Sequence, residues 1–326
     1  MSVLVITEQR DGSWHRMSFE ALAAGQEAAR ALACPLVAAV VGSGVESLAA
    51  ELATKDVSEV AIIDHPALAD YTADGFTEGL RQAVDRIEPT LVLFPHTYQV
   101  RDLAPKLAAS LGKPFVSDTV GLRFDVGKPV FVRQLFQGKL HADVAAEGAP
   151  PHFASVQSGT YRGDTVAEGG SPAAIRRLAV EIDPATIRTQ SEAPYQEAKD
   201  AVDLGSAEII VSVGRGIQAP DNISLAAGLA KALGGELAAS RPICDNGWLP
   251  LDRQIGSSGQ TVTPNIYLAL GISGAIQHVV GMKGSKTIVA VNKDEGAPIF
   301  EIADYGIVAD LFDIVPALLK ALEAEG

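Results

Sequence analysis

Between Ala238 and Asp310 a short stretch of the chain carries the residue types that grip phosphate. It contains AASR ending at Arg241, IGSSG (Ile255 to Gly259), LALGISGAIQH ending at His278, TIVAVNKD and YGIVAD. The apolar run Ile266 to Ile272 predicts a buried strand, after which Ser273 and Gly274 turn the chain into a helical pattern through Ala275, Ile276, Val279 and Val280. Unpaired N–H groups at a helix start point outward, the helix dipole favours negative charge, and glycine lets phosphate oxygens approach the backbone. A pyrophosphate is the ligand expected there.

Other chemistries lack their parts. No G-x-G-x-x-G follows an early strand. GMKGSKT (Gly281 to Thr287) is not a nucleotide-hydrolysing phosphate loop, because Gly284 is not followed by lysine and TIVAVN reads as a strand where a helix is required. There is no G-x-S-x-G elbow, no H-E-x-x-H and no evident nucleophile and base pair. The six histidines (His15, His65, His96, His141, His152, His278) stand singly, without the spacing of a zinc site. Cys34 and Cys244 suggest neither a disulfide framework nor a metal site. The chemistry is therefore expected to reside in a bound cofactor, which the protein holds and tunes.

Several separated motifs occurring in order give this chain its resemblance to the electron transfer flavoprotein alpha-subunit family. They are VGRG (Val213 to Gly216), ASR (Ala239 to Arg241), GISGAIQH (Gly271 to His278), SKTIVAVNKD (Ser285 to Asp294) and APIFEIADYGIVADLF (Ala297 to Phe312). RDLAPKLAA, Ser117–Asp118 and VRQLFQGKL carry it more weakly through the first half. The resemblance implies FAD as cofactor.

It also implies roles for individual residues. Arg241 would lie over the flavin ring, where a guanidinium stabilises the negative charge of reduction; its plain alternative is a surface ion pair. His278 would sit near the flavin N1 and C2 carbonyl as a donor or a positive imidazole. In the flavin-edge loop Gln254, Ile255, Gly256, Ser257 and Ser258, the Ser258 hydroxyl would serve flavin N5. Ser257 stands where relatives commonly carry glutamine, and its shorter side chain cannot reach as far. Ser240 flanks Arg241, and Arg215 would neutralise the pyrophosphate. Ser273, Gly274, Ala275, Ile276 and Gln277, with Asn292, Asp310 and Leu311, would surround the phosphates and adenosine. Asp310 can equally be the N-cap of a helix beginning LFDIV.

The elements that must position these residues read as α/β. Apolar runs VLVIT, LVAAVV, VAIIDH and LVLFPH alternate with helical segments near Phe19 to Leu32, Val45 to Ala53, Phe76 to Arg86 and Leu103 to Leu111, a parallel-sheet pattern. After Gly112, FVRQLF, LHADVAA and PHFASVQSG predict a β-rich extension. Ile175 to Gly205 looks first like a strand and then like a polar connector. Two domains follow: an N-terminal α/β domain over 1–196 with that extension, and a doubly wound FAD-binding α/β domain over 197–326. In the first, the loop PHTYQVRD, with His96 and Arg101, is the natural place for a ligand; satisfied polar residues of a surface loop explain it better.

At 326 residues with 47% hydrophobic content the chain can bury two cores, and abundant Ala and Gly with 6% aromatics suit closely packed helices on parallel sheets. A formal charge of −14 without a basic run argues against nucleic acid. Met1 leads straight into a strand pattern with no leader, and no run nears the roughly 18 apolar residues of a membrane helix, so a cytoplasmic protein is expected. By resemblance it is an electron carrier rather than an enzyme. It would pair with a beta subunit, take electrons from flavoprotein dehydrogenases such as those acting on acyl-CoA, and pass them to a membrane quinone oxidoreductase. The alternative is the alpha subunit of an electron-bifurcating or nitrogen-fixation-associated flavoprotein; a sensor of ADP or AMP is disfavoured because adenosine needs no Arg241, Ser258 and His278 group.

Overall fold

The computed structural model describes residues 1–125, 127–136, 138–192, 204–205 and 207–325. The chain forms two compact units, Met1–Pro194 and Tyr195–Gly326. The boundary expected at 196/197 lies outside the described residues.

In the first unit the elements run β1 (Val3–Ile6), β2 (Gln9–Arg10), β3 (Ser13–Trp14), α1 (Met17–Leu32), β4 (Leu36–Gly42), α2 (Glu46–Leu52), β5 (Glu59–Asp64), α3 (Ala73–Ile87), β6 (Leu91–Pro95), α4 (Tyr98–Ser110), β7 (Phe115–Asp125), β8 (Lys128–Leu135), β9 (Leu140–Ala145), β10 (His152–Val156) and β11 (Ala174–Arg177). One nine-stranded sheet has the order β11-β5-β4-β1-β6-β10-β7-β8-β9. Strands β1, β4 and β6 are fully buried because helices cover both faces, which is why they read as unbroken apolar runs. Small residues let α1 approach: a Cβ on Gly25 would stand 2.3 Å from Val5 Cγ2.

The β-rich extension is present as a continuation of this sheet. Strand β7 does two jobs: Phe115, Val116 and Thr119 pair in parallel with β10, and Thr119 to Asp125 pair antiparallel with β8. The change of partner coincides with register shifts on both sides and with Asp118 at φ 57°, a bend that turns one strand from one partner to the other. Strand β9 then closes the edge, mostly exposed.

The loop PHTYQVRD is shorter than its sequence suggests. Thr97 Oγ1 accepts from Val100 N at 3.1 Å and caps α4, so Tyr98 to Arg101 are already helical.

The second unit contains β12 (Ile209–Val213), α5 (Ile223–Ala232), β13 (Glu236–Ser240), α6 (Arg241–Asp245), β14 (Gln254–Ile255), β15 (Ile266–Leu270), α7 (Ile276–Val279), β16 (Thr287–Asn292), β17 (Tyr305–Val308) and α8 (Leu311–Glu325). Its six strands are all parallel in the order β14-β13-β12-β15-β16-β17, the doubly wound arrangement expected. The strand order reverses between β12 and β15. One core cluster, with Leu229, Leu270, Leu311 and Val315, lies on one face; another, with Tyr267, Ile255, Met282 and Ile299, lies on the other. Each such fully buried Leu or Ile contributes about 1.5–3 kcal/mol.

Candidate functional site

In an open parallel sheet, ligands bind beyond the carboxyl ends of the strands where the order reverses, and here two glycine turns meet at that point. Gly214 N donates to Leu270 O at 2.9 Å, and Gly216 N donates to Gly271 O at 3.0 Å. A Cβ on Gly214 would stand 2.4 Å from Gly271 O, and one on Gly271, whose φ is 62°, would stand 2.6 Å from Gly216 Cα. Only glycine permits this backbone-on-backbone contact. It holds Arg215, exposed on a 3-10 turn, at the carboxyl edge.

A second interlock joins the loop after β14 to the turn carrying α7. Ser257 N donates to Gln277 O at 2.7 Å. Added Cβ atoms on Gly256 and Gly281 would stand 2.7 Å from Gln277 O and 2.4 Å from Gly256 N respectively. Buried Gln254 donates from Nε2 to Ser258 Oγ at 3.0 Å, fixing a hydroxyl whose residue is exposed, as is Ser257. The flavin-edge loop of the resemblance is thus held beside His278 by backbone.

His278 is 5% exposed. Its Nε2 lies 2.8 Å from the Tyr267 hydroxyl, while its Nδ1 is buried without a hydrogen-bond partner. Burial pushes the imidazole down to about 4. At neutral pH the ring is therefore uncharged.

The remaining candidates line the same edge. Ser240 ends β13, and Arg241 opens α6 with its side chain 67% exposed and paired to Asp245 at 3.2 Å. That ion pair is the surface reading of Arg241; so exposed a pair contributes little and leaves the guanidinium free to turn to a ligand. Ser273, Ala275, Ile276 and Gln277 are exposed, whereas Gly274 (φ 87°) is pinned, since a Cβ there would stand 2.2 Å from Ile299 N. Asn292 donates from Nδ2 to Ile272 O at 2.9 Å and accepts from Asp294 N at 3.0 Å, so its side chain shapes the turn after β15. Asp310 accepts from Phe312 N at 3.0 Å and caps α8, as its alternative role predicts. The side chains of Ile255 and Leu311 face the cores, which leaves only their backbone to meet a ligand.

One expectation is corrected. Helix α7 is a single turn, Ile276–Val279, followed by a turn through Gly284. Four residues sum too few peptide dipoles to attract a pyrophosphate by themselves. Sequence reasoning also passed over Tyr267, which sits inside an apolar run, and over Gly281. The signal for Tyr267 was a lone hydroxyl in a strand otherwise without polar atoms.

In the first unit the corresponding edge is self-satisfied. His96 Nδ1 lies 2.8 Å from Ser155 Oγ, Gln157 Nε2 donates to Asp118 at 3.1 Å, Thr97 donates to Glu8, and the Arg101 guanidinium lies 5.4 Å from the Tyr98 ring centroid.

Comparison with known proteins gives two family matches. Residues 3–183 match the electron transfer flavoprotein domain, and residues 203–283 match the electron transfer flavoprotein FAD-binding domain. The chain is 38% identical over 321 residues to the electron transfer flavoprotein subunit alpha of Bacillus subtilis (strain 168), covering 98% of this chain and 96% of that one. It is 37% identical over 319 residues to Protein FixB of Clostridium saccharobutylicum, covering 97% and 95%. It is also 37% identical over 349 residues to the acryloyl-CoA reductase electron transfer subunit beta of Anaerotignum propionicum, covering 98% and 95%. The edge of the second unit carries groups that fit a dinucleotide cofactor: exposed Arg215, Ser257, Ser258, Ser273 and Gln277 stand on the interlocked turns, and the buried Nδ1 of His278 has no hydrogen-bond partner. Among the described residues no helix is long and apolar enough to cross a membrane.

Proposed function

Because the chain belongs to the electron transfer flavoprotein family, with a second domain that binds FAD, we propose that it is the alpha subunit of a heterodimeric electron carrier. It receives electrons from flavoprotein dehydrogenases, such as those of acyl-CoA oxidation, and delivers them to a membrane quinone oxidoreductase from the cytoplasm. The beta subunit covers the exposed side of the cofactor. When bound, FAD supplies all the redox chemistry; the chain binds it, orients it and sets its potential.

The division of labour follows from charge and geometry. Arg241 places a guanidinium near the ring and favours its negatively charged reduced form. Ser258, steadied by Gln254, offers a hydroxyl to the ring edge. His278 offers a neutral imidazole, while Arg215 and the N–H groups of the turn at Ser273 and Gly274 meet the phosphates. Asn292, Asp310 and the backbone at Leu311 bound the adenosine end. The observation that carries this reading is the His278 Nδ1, buried without a partner on a turn locked to the Ser257–Ser258 loop. Co-purification with a beta subunit should give a yellow one-to-one complex; a colourless complex, or FAD held equally well by the chain alone, would count against it.

A second reading has specific support in the relatives named FixB and acryloyl-CoA reductase electron transfer subunit. There the chain would serve a bifurcating or nitrogen-fixation-associated flavoprotein whose partner carries another FAD. Counting flavins per heterodimer separates the two, one for the carrier and two for the bifurcating form.

A further inference from the structure

The nine-stranded sheet of the first unit ends in two edges of opposite character. At one end, β11 carries Arg176, paired with Glu59 at 2.7 Å, and Arg177, paired with Asp64 at 2.8 Å and with Glu46. Charged side chains of this kind guard an edge against further pairing. At the other end, β9 pairs with β8 along one side only and is mostly exposed. Alternate residues of β9 therefore direct backbone N–H and C=O away from the sheet.

The unguarded edge is apolar where it is barest. Phe131, the register partner of Leu122 and Val144, is fully buried in the core, and the period of two puts Arg133 and Leu135 on the same face of β8. Leu135 faces Leu140 across the hairpin, yet the two are 38% and 57% exposed, and Phe136 beside them is 72% exposed. The apolar stripe thus runs past the end of its own cover. Phe136 has a φ of 51°, which glycine adopts readily and a bulky residue does not, so the turn keeps an exposed aromatic ring against the preference of its backbone.

Charge indicates what kind of surface covers it. The chain carries −14 overall, but from Arg123 to Asp143 it has four cations and two carboxylates, and Arg123 and Asp143 pair with each other. What remains is Lys128, Arg133 and Lys139 against Asp125, with Arg133 in the stripe itself and its Nε buried without a hydrogen-bond partner. The complementary surface is apolar and bordered by carboxylates. A second copy of this chain meeting edge to edge would set these cations against themselves. A partner that comes and goes would leave the open edge bare between encounters, a site for unwanted pairing, whereas a subunit that stays bound keeps it covered. We infer that the β8–β9 hairpin is a docking surface for the beta subunit, which seats Leu135, Phe136 and Leu140 in an apolar socket bordered by carboxylates and lies along the open side of β9. This rests on reading the chain as one subunit of a heterodimer.

The test combines subunit affinity, read by diluting the co-purified heterodimer, with amide hydrogen exchange. Phe136→Asp and Leu140→Asp should each weaken the heterodimer about tenfold or more, in line with a buried apolar anchor. Lys139→Glu should weaken it less and flatten its dependence on salt. Ile175→Asp, at an exposed position on the guarded edge, should leave the affinity unchanged. In the wild-type heterodimer, exchange within Leu140–Ala145 should slow about tenfold or more relative to the chain alone, a measurement that needs no variant to fold. Unchanged affinity in folded Phe136→Asp and Leu140→Asp overturns the proposal, as does unslowed exchange in the wild-type complex. Vesicles of phosphatidylserine and phosphatidylcholine that capture the wild-type chain but not Phe136→Asp, while that variant still forms the heterodimer normally, would assign the tip to a lipid surface and overturn it equally. A wild-type chain that forms no complex with a beta subunit brings down the heterodimer reading and this surface together; a complex in which β9 still exchanges freely brings down the surface alone.

Discussion

Each unit is built on a parallel sheet, and each gathers polar residues at the carboxyl ends of its strands, but the two edges spend their hydrogen-bonding capacity differently. In the first unit Glu8, His96, Thr97, Asp118, Ser155 and Gln157 bond to one another and leave little for a ligand. In the second, glycine turns press backbone against backbone, exposed hydroxyls stand on the interlocked loops, and a buried imidazole nitrogen has no partner. A strand edge becomes a ligand site when its polar groups are held in place yet left wanting. Location alone does not make one.

The sharpest test is steric. Gly271→Ala sets a methyl against Gly216 at a residue with φ 62°, whereas Gly112→Ala in the first unit, at φ 63°, meets nothing within 4 Å. Both pay for the backbone conformation, about 1–2 kcal/mol. Gly271→Ala adds overpacking and should lose roughly 3 kcal/mol or more in denaturant melts, with FAD released. Equal losses at both positions would break the comparison.

Acid provides the next largest effect. His278 in the folded chain sits at about 4, below the unfolded value of about 6.5. The unfolded state therefore binds more protons between those values. The stability that His278 contributes is complete above about pH 6.5 and is lost as pH falls toward 4, on the order of 3 kcal/mol in all. Unfolding free energies measured across that window should fall less steeply in His278→Gln; parallel profiles would show that the ring is not buried in its neutral form.

Arg241→Ala should leave a folded, FAD-binding protein whose potential falls by about 59 mV if the guanidinium supplies tenfold stabilisation of the reduced ring. Spectroelectrochemistry with unchanged potentials would remove Arg241 from the ring and leave it as the partner of Asp245. The smallest effect is expected at the quiet edge. Arg101→Ala should leave flavin absorbance and potential unaltered and shift stability by no more than about 0.5 kcal/mol; a loss of flavin would mean that the first unit shares in binding.

Much of this architecture is legible in the sequence, because strands buried on both faces are written as apolar runs and helices between them as periodic ones. The doubly wound second sheet follows from that alternation, and the cofactor edge from the order of its motifs. What escaped has physical causes. Strand β7 changes partners within its length, and a period-two pattern reads the same whichever neighbour it meets. Thr97 starts α4 early through one local hydrogen bond. Helix α7 is one turn long, and just beyond it Gly281 packs against Gly256, a contact invisible to local periodicity. Tyr267 belongs to an apolar strand, and only the folded turn that brings His278 to its hydroxyl reveals its partner.

The meeting of Gly214 and Gly216 with Gly271 bears on how the protein is made. The two turns lie far apart along the chain and come together only when β12 and β15 have paired, with β13 and β14 synthesised between them. Such distant contacts form late, since the entropy of closing the intervening chain must be met first. The cofactor edge is thus absent from any nascent or clipped chain that ends before β15. A chain cut before β15 should therefore hold no flavin at this edge, even with the partner subunit supplied.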